Sequence, residues 1–488
     1  MSSHDPATGA PAGAPVQSGR LCIACILSSL LAACTVGPDY VRPSPPHVPG
    51  FVRQEAAQDN APQPADEAFW RSFGDPILER LVGAALLHNH DLRIALVSYR
   101  QADALLGQAR LERLPTLTAN VEASDASPDG SNYQAGLGAI WELDFFGRMR
   151  RAMEAQRAEA EASAADLAAM QVVVVGELAR TYFELRGLQE QLRIARVSAH
   201  NQLRTQQLLE VRHQAGVGSG FDVDRGRAQM ESIYARLPAL EAEVAFAVHR
   251  VAVLTGLPPG SLIEELESAS ELPAVPAQGI DAGMPGDLLR RRPDVTAAER
   301  RLAAATARIG IATADLFPRF TLSGLIGTQA MDAGALFRRD SETRLLALGI
   351  DGAFLNVGRT RARIAAADAS AAVHLAAYER AVLGALEETE NALIRVSRSE
   401  RELSHLQHAA DASAWAVAVA RARLDGGAID LLEVLDAERV NLQSQEAHAQ
   451  GLMRHAQARV LLYRTLAGGW SNVTTRVPER VSQQMKEE

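Results

Sequence analysis

Apolar and polar positions along this chain follow two periods, and the switch between them occurs twice. From about Leu92 to Leu114 nothing interrupts a helix except Gly107, and Pro115 ends it. The period then becomes two. Leu117, Ala119, Val121 and Ala123 alternate with Thr116, Thr118, Asn120 and Glu122. A turn at Ser127-Pro128-Asp129-Gly130 leads into a second alternating run, Asn132 to Phe145, which sets Tyr133, Ala135, Leu137, Ala139, Trp141 and Leu143 against Gln134, Glu142 and Asp144. This pattern predicts a β-hairpin over 116–145. A less regular hairpin is expected over 320–355, from Phe320 to Thr328 and Leu345 to Leu355.

The recurrence is an internal duplication. With an ungapped offset of 203, Asp91 pairs with Asp294, Gly107 with Gly310, Pro115 with Pro318 and Thr118 with Thr321. Further on, an offset of 211 joins Gly147-Arg148 to Gly358-Arg359 and Gly216 to Gly427. Each copy reads as helix, strand, strand, very long helix, turn, helix.

Proline placement permits the long helices. None occurs between Arg148 and Pro238, or between Pro318 and Pro478. At 1.5 Å per residue, 149–213 would span ~97 Å, and the mate is expected over 359–425. The first half of each is dense in alanine, which allows close helix packing. The shorter helices are expected over 222–255, 294–317 and 430–467. The chain therefore divides into a signal peptide (1–33), a proline-rich extension (34–80) whose Pro38–Pro64 stretch reads as an extended tether, repeats over 81–275 and 276–470, and a tail (471–488). The fold class is mainly α with a small β part.

Composition narrows the function. The chain has 488 residues, a net charge of -10, 47% apolar residues and only 5% aromatic ones. Its arginines are interleaved with acids instead of forming blocks, so nucleic acid is not an expected partner. Beyond residue 35 no run approaches the ~18–20 apolar residues of a membrane-spanning helix. A crossing would therefore use strands. Four strands in lipid would leave unpaired edges costing several kcal/mol per group. Membrane barrels need at least eight strands, so two chains would make a plugged pore and three a twelve-strand channel. Tyr133 and Trp141 are candidates for the aromatic girdle. A soluble hairpin lying on helices would alternate in the same way.

The N-terminus carries a sharper signal. The short apolar stretch Leu21 to Ala33 ends in Leu31-Ala32-Ala33-Cys34, which resembles a bacterial lipobox. Cys34 would then carry the lipid, and Thr35 behind it resembles the pattern of lipoproteins sent to the outer membrane. Cys22 and Cys25 lie in the segment that would be removed, which leaves no disulfide in the mature chain.

Together these residues resemble the TolC and OprM family of outer membrane factors, closest to its lipoprotein (NodT-like) branch. Two strings carry the likeness: Cys34-Thr35-Val36-Gly37-Pro38-Asp39-Tyr40, and Asp287-Leu288-Leu289-Arg290-Arg291-Arg292-Pro293-Asp294 followed by Glu299-Arg300 and Ala314 to Pro318. Within the second, Pro293 suits a helix start and Asp294 its positive end. The resemblance implies a homotrimer anchored in outer membrane lipid, with a twelve-strand transmembrane barrel and a long α-helical barrel in the periplasm. It also implies a periplasmic adaptor and an inner membrane pump of the resistance-nodulation-division type, with drugs as cargo. It implies no cofactor, metal or catalytic residue. The turns at Gly216 to Asp222 and Gly427 to Glu433 would lie at the periplasmic tip. Gly216, Gly218, Gly427, Ile429 and Asp430 would contact the adaptor there. Glu433 and Asp436 match the family's acidic ring at the aperture, with Asp222 beside it. Leu424 and Ile429 stand where better-known members brace the closed aperture with a tyrosine and an arginine.

Other signals give way to simpler readings. Gly216, Gly218 and Gly220 join two helices, not a strand to a helix, so they make a turn instead of a phosphate loop. His405 and His408 share a helix face but lack a third ligand nearby in sequence, and His88 and His90 do not share a face. A type I protein-secretion duct would use the same fold, and a lipid-anchored scaffold without a pore is the rival from another class. The lipobox and the arginine-rich string favour efflux over secretion, and matched hairpins in both repeats disfavour the scaffold.

Overall fold

The computed structural model describes residues 35–44, 46, 48–52, 63–64, 68–126, 130–268, 272–273, 280–352 and 355–466. Cys34 lies outside them. Among the described residues the α-helices longer than one turn are α1 (Pro76–His88), α2 (His90–Leu111), α3 (Arg148–Gln214), α4 (Gly220–Tyr234), α5 (Arg236–Leu254), α6 (Pro285–Arg291), α7 (Pro293–Ala314), α8 (Val357–Asp425) and α9 (Leu431–Leu466). Four strands, β1 (Thr116–Ala126), β2 (Gly130–Leu143), β3 (Arg319–Ala330) and β4 (Glu342–Asp351), form one antiparallel sheet in that order. A two-residue parallel bridge pairs Gln63–Pro64 with Ile280–Asp281.

Contacts divide the chain into two compact units. One comprises residues up to Arg42 with Ala102–Ala160 and Arg301–Leu375, and the other Pro43–Gln101, Glu161–Arg300 and the chain from Ala376. The first holds the sheet. Its helices meet through small residues, where Ala158, Ala303 and Ala304 form a buried cluster with Tyr40 against it. Alanine brings two helix backbones close at little cost in side-chain entropy.

The second unit is organised on α3. Val174, Val175, Leu178, Ala179, Tyr182, Phe183 and Leu185 are buried against Leu78, Leu81 and Val82 of α1 and Val248, Val251 and Ala252 of α5. Each such large side chain contributes about 1.5–3 kcal/mol on burial. Helix α1 starts where it does because Asp75 accepts hydrogen bonds from the amides of Ile77 (2.8 Å) and Leu78 (3.1 Å), with Pro76 behind it. The other Asp75 oxygen accepts from the Tyr182 hydroxyl at 2.5 Å, which ties that cap to the core. Helix α3 contains an 18-residue stretch of mean hydropathy 1.4, of which 56% is buried inside the protein. No uninterrupted apolar run announces it in the sequence.

Three sequence expectations need revision. The helix drawn over 222–255 is two helices, because Pro238 has no amide hydrogen and its ring clashes with the carbonyl of Tyr234, where α4 stops. The 34–80 extension does not stop at a helix boundary, since residue 80 lies within α1. Nor is the Pro38–Pro64 stretch merely a tether. Phe51 is buried with Leu288, Leu393 and Leu466, and the Val52 amide donates to Glu390 Oε1 at 2.7 Å. In the second hairpin, two 3-10 turns (Ala333–Ala335 and Arg339–Ser341) separate strands that begin at Arg319 and end at Asp351, inside the expected 320–355 span at its far end.

Candidate channel surfaces

Register makes the sheet two-faced. Directly opposed residues project to the same side. Leu117 opposes Ala139, Leu137 opposes Ile326, Leu322 opposes Leu348 and Phe320 opposes Ile350. That side therefore carries Leu117, Val121, Leu137, Ile326, Leu346 and Leu348, all more than half exposed in a single chain. The reverse side carries Thr116, Thr118, Asn120, Glu122, Gln134, Glu142, Thr321, Ser323 and Gln329, with Ile140, Leu325 and Leu345 as apolar exceptions. An exposed apolar face backed by a polar one suits lipid outside and water within. Among the described residues, strands β1 and β4 each present an unpaired edge.

Aromatic side chains collect where strands give way to helices. Phe145 meets Phe320 edge-on with centroids 5.0 Å apart, and Phe146 stacks on Phe317 at 4.5 Å. Trp141 opposes Leu322, two residues along the strands from the Leu143–Phe320 pair, and donates its indole N–H to the Arg113 carbonyl at 3.0 Å. Tyr133 sits toward the opposite end of β2, level with Ala123 and Ala330. The phenylalanines were not singled out from sequence. Their signal was available: paired aromatics flank both hairpin–helix junctions.

The helix-to-helix turns are built alike in the two repeats. Gly216 has φ +77° and Gly427 φ +71°, a left-handed conformation that ends a helix at no steric cost in glycine. In the first copy Gly216 N–H donates to His213 O and Val217 N–H to Arg212 O; in the second Gly427 N–H donates to Leu424 O and Ala428 N–H to Arg423 O. All four bonds lie between 2.9 and 3.0 Å. Three residues beyond each glycine comes a helix cap. The Ser219 hydroxyl oxygen accepts from the Asp222 amide at 3.1 Å and the Asp222 carboxylate accepts from the Ser219 amide at 3.4 Å, closing a capping box. At the matching places Asp430 accepts from the Glu433 amide at 3.1 Å. Asp222 and Glu433 are thus equivalent positions in the duplication, each third in its helix.

The acids differ in engagement. Asp222 is held by its cap. Glu433 and Asp436 are exposed on one face of α9, and Asp436 pairs with Arg439 at 2.8 Å one turn on. Arg421 bonds Glu438 of α9 at 2.7 Å. Leu424 and Ile429 pack against the buried cluster of Leu209, Val223, Leu431, Val434 and Leu435. Gly218 lies tight against Arg212 and His213, whose ring Nδ1 donates to the Gly218 carbonyl at 3.1 Å.

The arginine-rich string forms a hub in the second unit. Arg292 is 7% exposed and forks to Asp294 (2.6 and 3.0 Å), to Glu388 (2.8 Å) and to the Thr465 carbonyl (3.2 Å). Burial alone would lower the pKa of its guanidinium, but the two carboxylates outweigh burial and hold it above the ordinary value. Arg300 likewise bonds Glu299 and Glu161.

Comparison with known proteins agrees with this arrangement. The family model described as outer membrane efflux protein matches residues 81–257 and 284–468. The chain is 32% identical over 467 residues to the pyoverdine export outer membrane protein OpmQ of Pseudomonas putida, covering 92% of this chain and 97% of that one. Its fold is similar to that of the outer-membrane channel OprN, with a TM-score of 0.84, 38% identity and coverage of 90% of this chain and 100% of that one. It is also similar to the open state of the Neisseria gonorrhoeae MtrE outer membrane channel, with a TM-score of 0.82, 28% identity and coverage of 90% and 99%. With a duplicated helical frame, a four-strand two-faced sheet and a family match over most of its length, the chain belongs to the outer membrane efflux protein family.

Proposed function

We propose that three copies of this chain close a twelve-strand barrel in the outer membrane and form the exit duct of a tripartite efflux pump. The observation that carries the reading is the sheet, which has one apolar face, one polar face and two open edges. In lipid those edges must be paired, and β4 of one copy runs antiparallel to β1 of the next. A periplasmic adaptor would engage the turns at Gly216, Gly218, Gly427, Ile429 and Asp430. An inner membrane pump of the resistance-nodulation-division class would supply small-molecule cargo. Relatives named for export of pyoverdine and for efflux of toluene support small molecules over proteins as cargo. Lipid on Cys34 would anchor each copy, and Glu433 with Asp436 would crowd six carboxylates into the aperture, where cations would collect. No chemistry is performed. Light scattering on the detergent-solubilised mature protein should give three copies per particle; a single copy would overturn the assembly.

A further inference from the structure

The chain just after the proposed lipid site lies in a recess shaped for it. The Val36 amide donates to the Phe146 carbonyl at 3.3 Å. Arg151, with 3% of its side chain exposed, donates to the carbonyls of Val36 and Gly37 (both 3.3 Å) and to Asp39 Oδ1 (2.7 Å), and is steadied by Glu154 at 2.8 Å. Three glycines make room. Gly37 has φ +87°, and a Cβ there would fall 2.5 Å from Gly310 Cα; a Cβ on Gly147 would fall 2.6 Å from Thr35 Cγ2. Gly310 in turn leaves space for the Arg151 stem, whose Cγ is 2.8 Å from where a Gly310 Cβ would be. Tyr40 finishes the contact on Ala158, Ala303 and Ala304.

We infer that residues 35–40 form a clasp, with Arg151 as its key, that pins the acyl-bearing N-terminus to the aromatic junction of strands and helices, so that lipid anchor and barrel make one fixed membrane attachment. The inference rests on the reading of Cys34 as the lipid site. Its geometry follows from chain continuity. Thr35 lies against Gly147, next to Phe146, and a single peptide unit of about 3.8 Å separates its Cα from that of the residue that would carry the lipid. Aromatic side chains favour the membrane–water interface, so chains attached there enter the leaflet at the level of the barrel rim. A long tether would instead leave anchor and barrel uncoupled.

Hydrogen exchange on the full mature protein in lipid nanodiscs tests the clasp, and intact mass on the same sample reports separately whether Cys34 is acylated. In the wild type, 35–42 should exchange at least about tenfold more slowly than in Gly310→Val, which fills the recess, or Asp39→Ala, which removes an exposed partner of Arg151. Peptides from 116–126 should stay protected in both variants, showing that the sheet persists. Cys34→Ser should keep 35–42 protected, because the clasp is made by protein groups. Unprotected exchange of 35–42 in the acylated wild type would overturn the clasp while leaving the lipid site standing. A wild type whose intact mass shows no acyl chain on Cys34 would overturn the anchoring role and the lipid reading together, even with 35–42 protected.

Discussion

Arg292 sits in a string of three arginines, yet it alone of the three is buried with carboxylates on either side. From sequence, Asp294 reads as a charge placed to suit a helix dipole. In the structure it also holds one fork of Arg292. The other partner, Glu388, lies 96 residues away, a separation that no local pattern reveals. Removing the guanidinium would leave the Thr465 carbonyl and two acids without their donor. Arg292→Ala should therefore lower stability by about 2–4 kcal/mol, and Arg292→Lys should not restore it, since an ammonium cannot fork. Chemical denaturation of the helical part, followed by circular dichroism, checks both. His455 offers a second residue-scale test. Burial, then the charge of Arg459, lowers its pKa, against a smaller opposing pull from Glu400. The Ser399 hydroxyl lies 2.9 Å from its ring. A depressed folded pKa means that the unfolded chain binds the proton first. The stability tied to a neutral His455 is then complete above its unfolded value near ~6.5 and is lost as pH falls from there through the folded value. His455→Gln should flatten that slope, and melting temperatures between pH 7 and pH 5 would reveal it.

At the scale of elements, period and proline placement were sufficient to find most of the frame. Alternation exposed the strands because one face meets a different medium from the other, and a period of two is the only pattern that separates them. The β3–β4 hairpin was harder to read because Leu325 and Leu345 interrupt its polar face. The break between α4 and α5 is hard to read because Pro238 is the third residue of the second helix, in the first turn, where proline is tolerated. The shared design of the two helix-to-helix turns was visible only in part. The glycines align by sequence, but the equivalence of Ser219–Asp222 with Asp430–Glu433 shows in the hydrogen bonds, because different residue types fill the cap. The sheet's two faces make a direct prediction. Leu346→Arg, at the middle of β4 on the apolar face, should cost about 2–4 kcal/mol of folding free energy in bilayers, whereas Ser323→Arg on the polar face should cost under about 1 kcal/mol. Urea titration of folding into lipid vesicles separates the two.

For the whole molecule, the duplication, the strand count and the absence of closure within one chain together carried the argument to a multi-copy channel. What stayed hidden was the docking of the N-terminal segment. Proline-rich composition announces an extended chain, and an extended chain can lie in a groove as readily as in solvent. Only the positions of Gly37, Gly310 and Arg151 distinguish the two. The proposed aperture belongs to this scale as well, because Glu433 and Asp436 would acquire their effect only from copies brought together. With both acids neutralised by Glu433→Gln and Asp436→Asn, block of the channel by divalent cations applied from the helical side should fall by at least about tenfold, the loss expected when clustered carboxylates no longer hold the ion. Unchanged block would remove these residues from the aperture.

If three copies of the chain form a duct, the assembly conducts. Single-channel recording of the purified mature protein in planar lipid bilayers would show it. Discrete conductance steps from particles of trimeric mass are expected, and trimers that insert stably yet never pass current would rule the duct out.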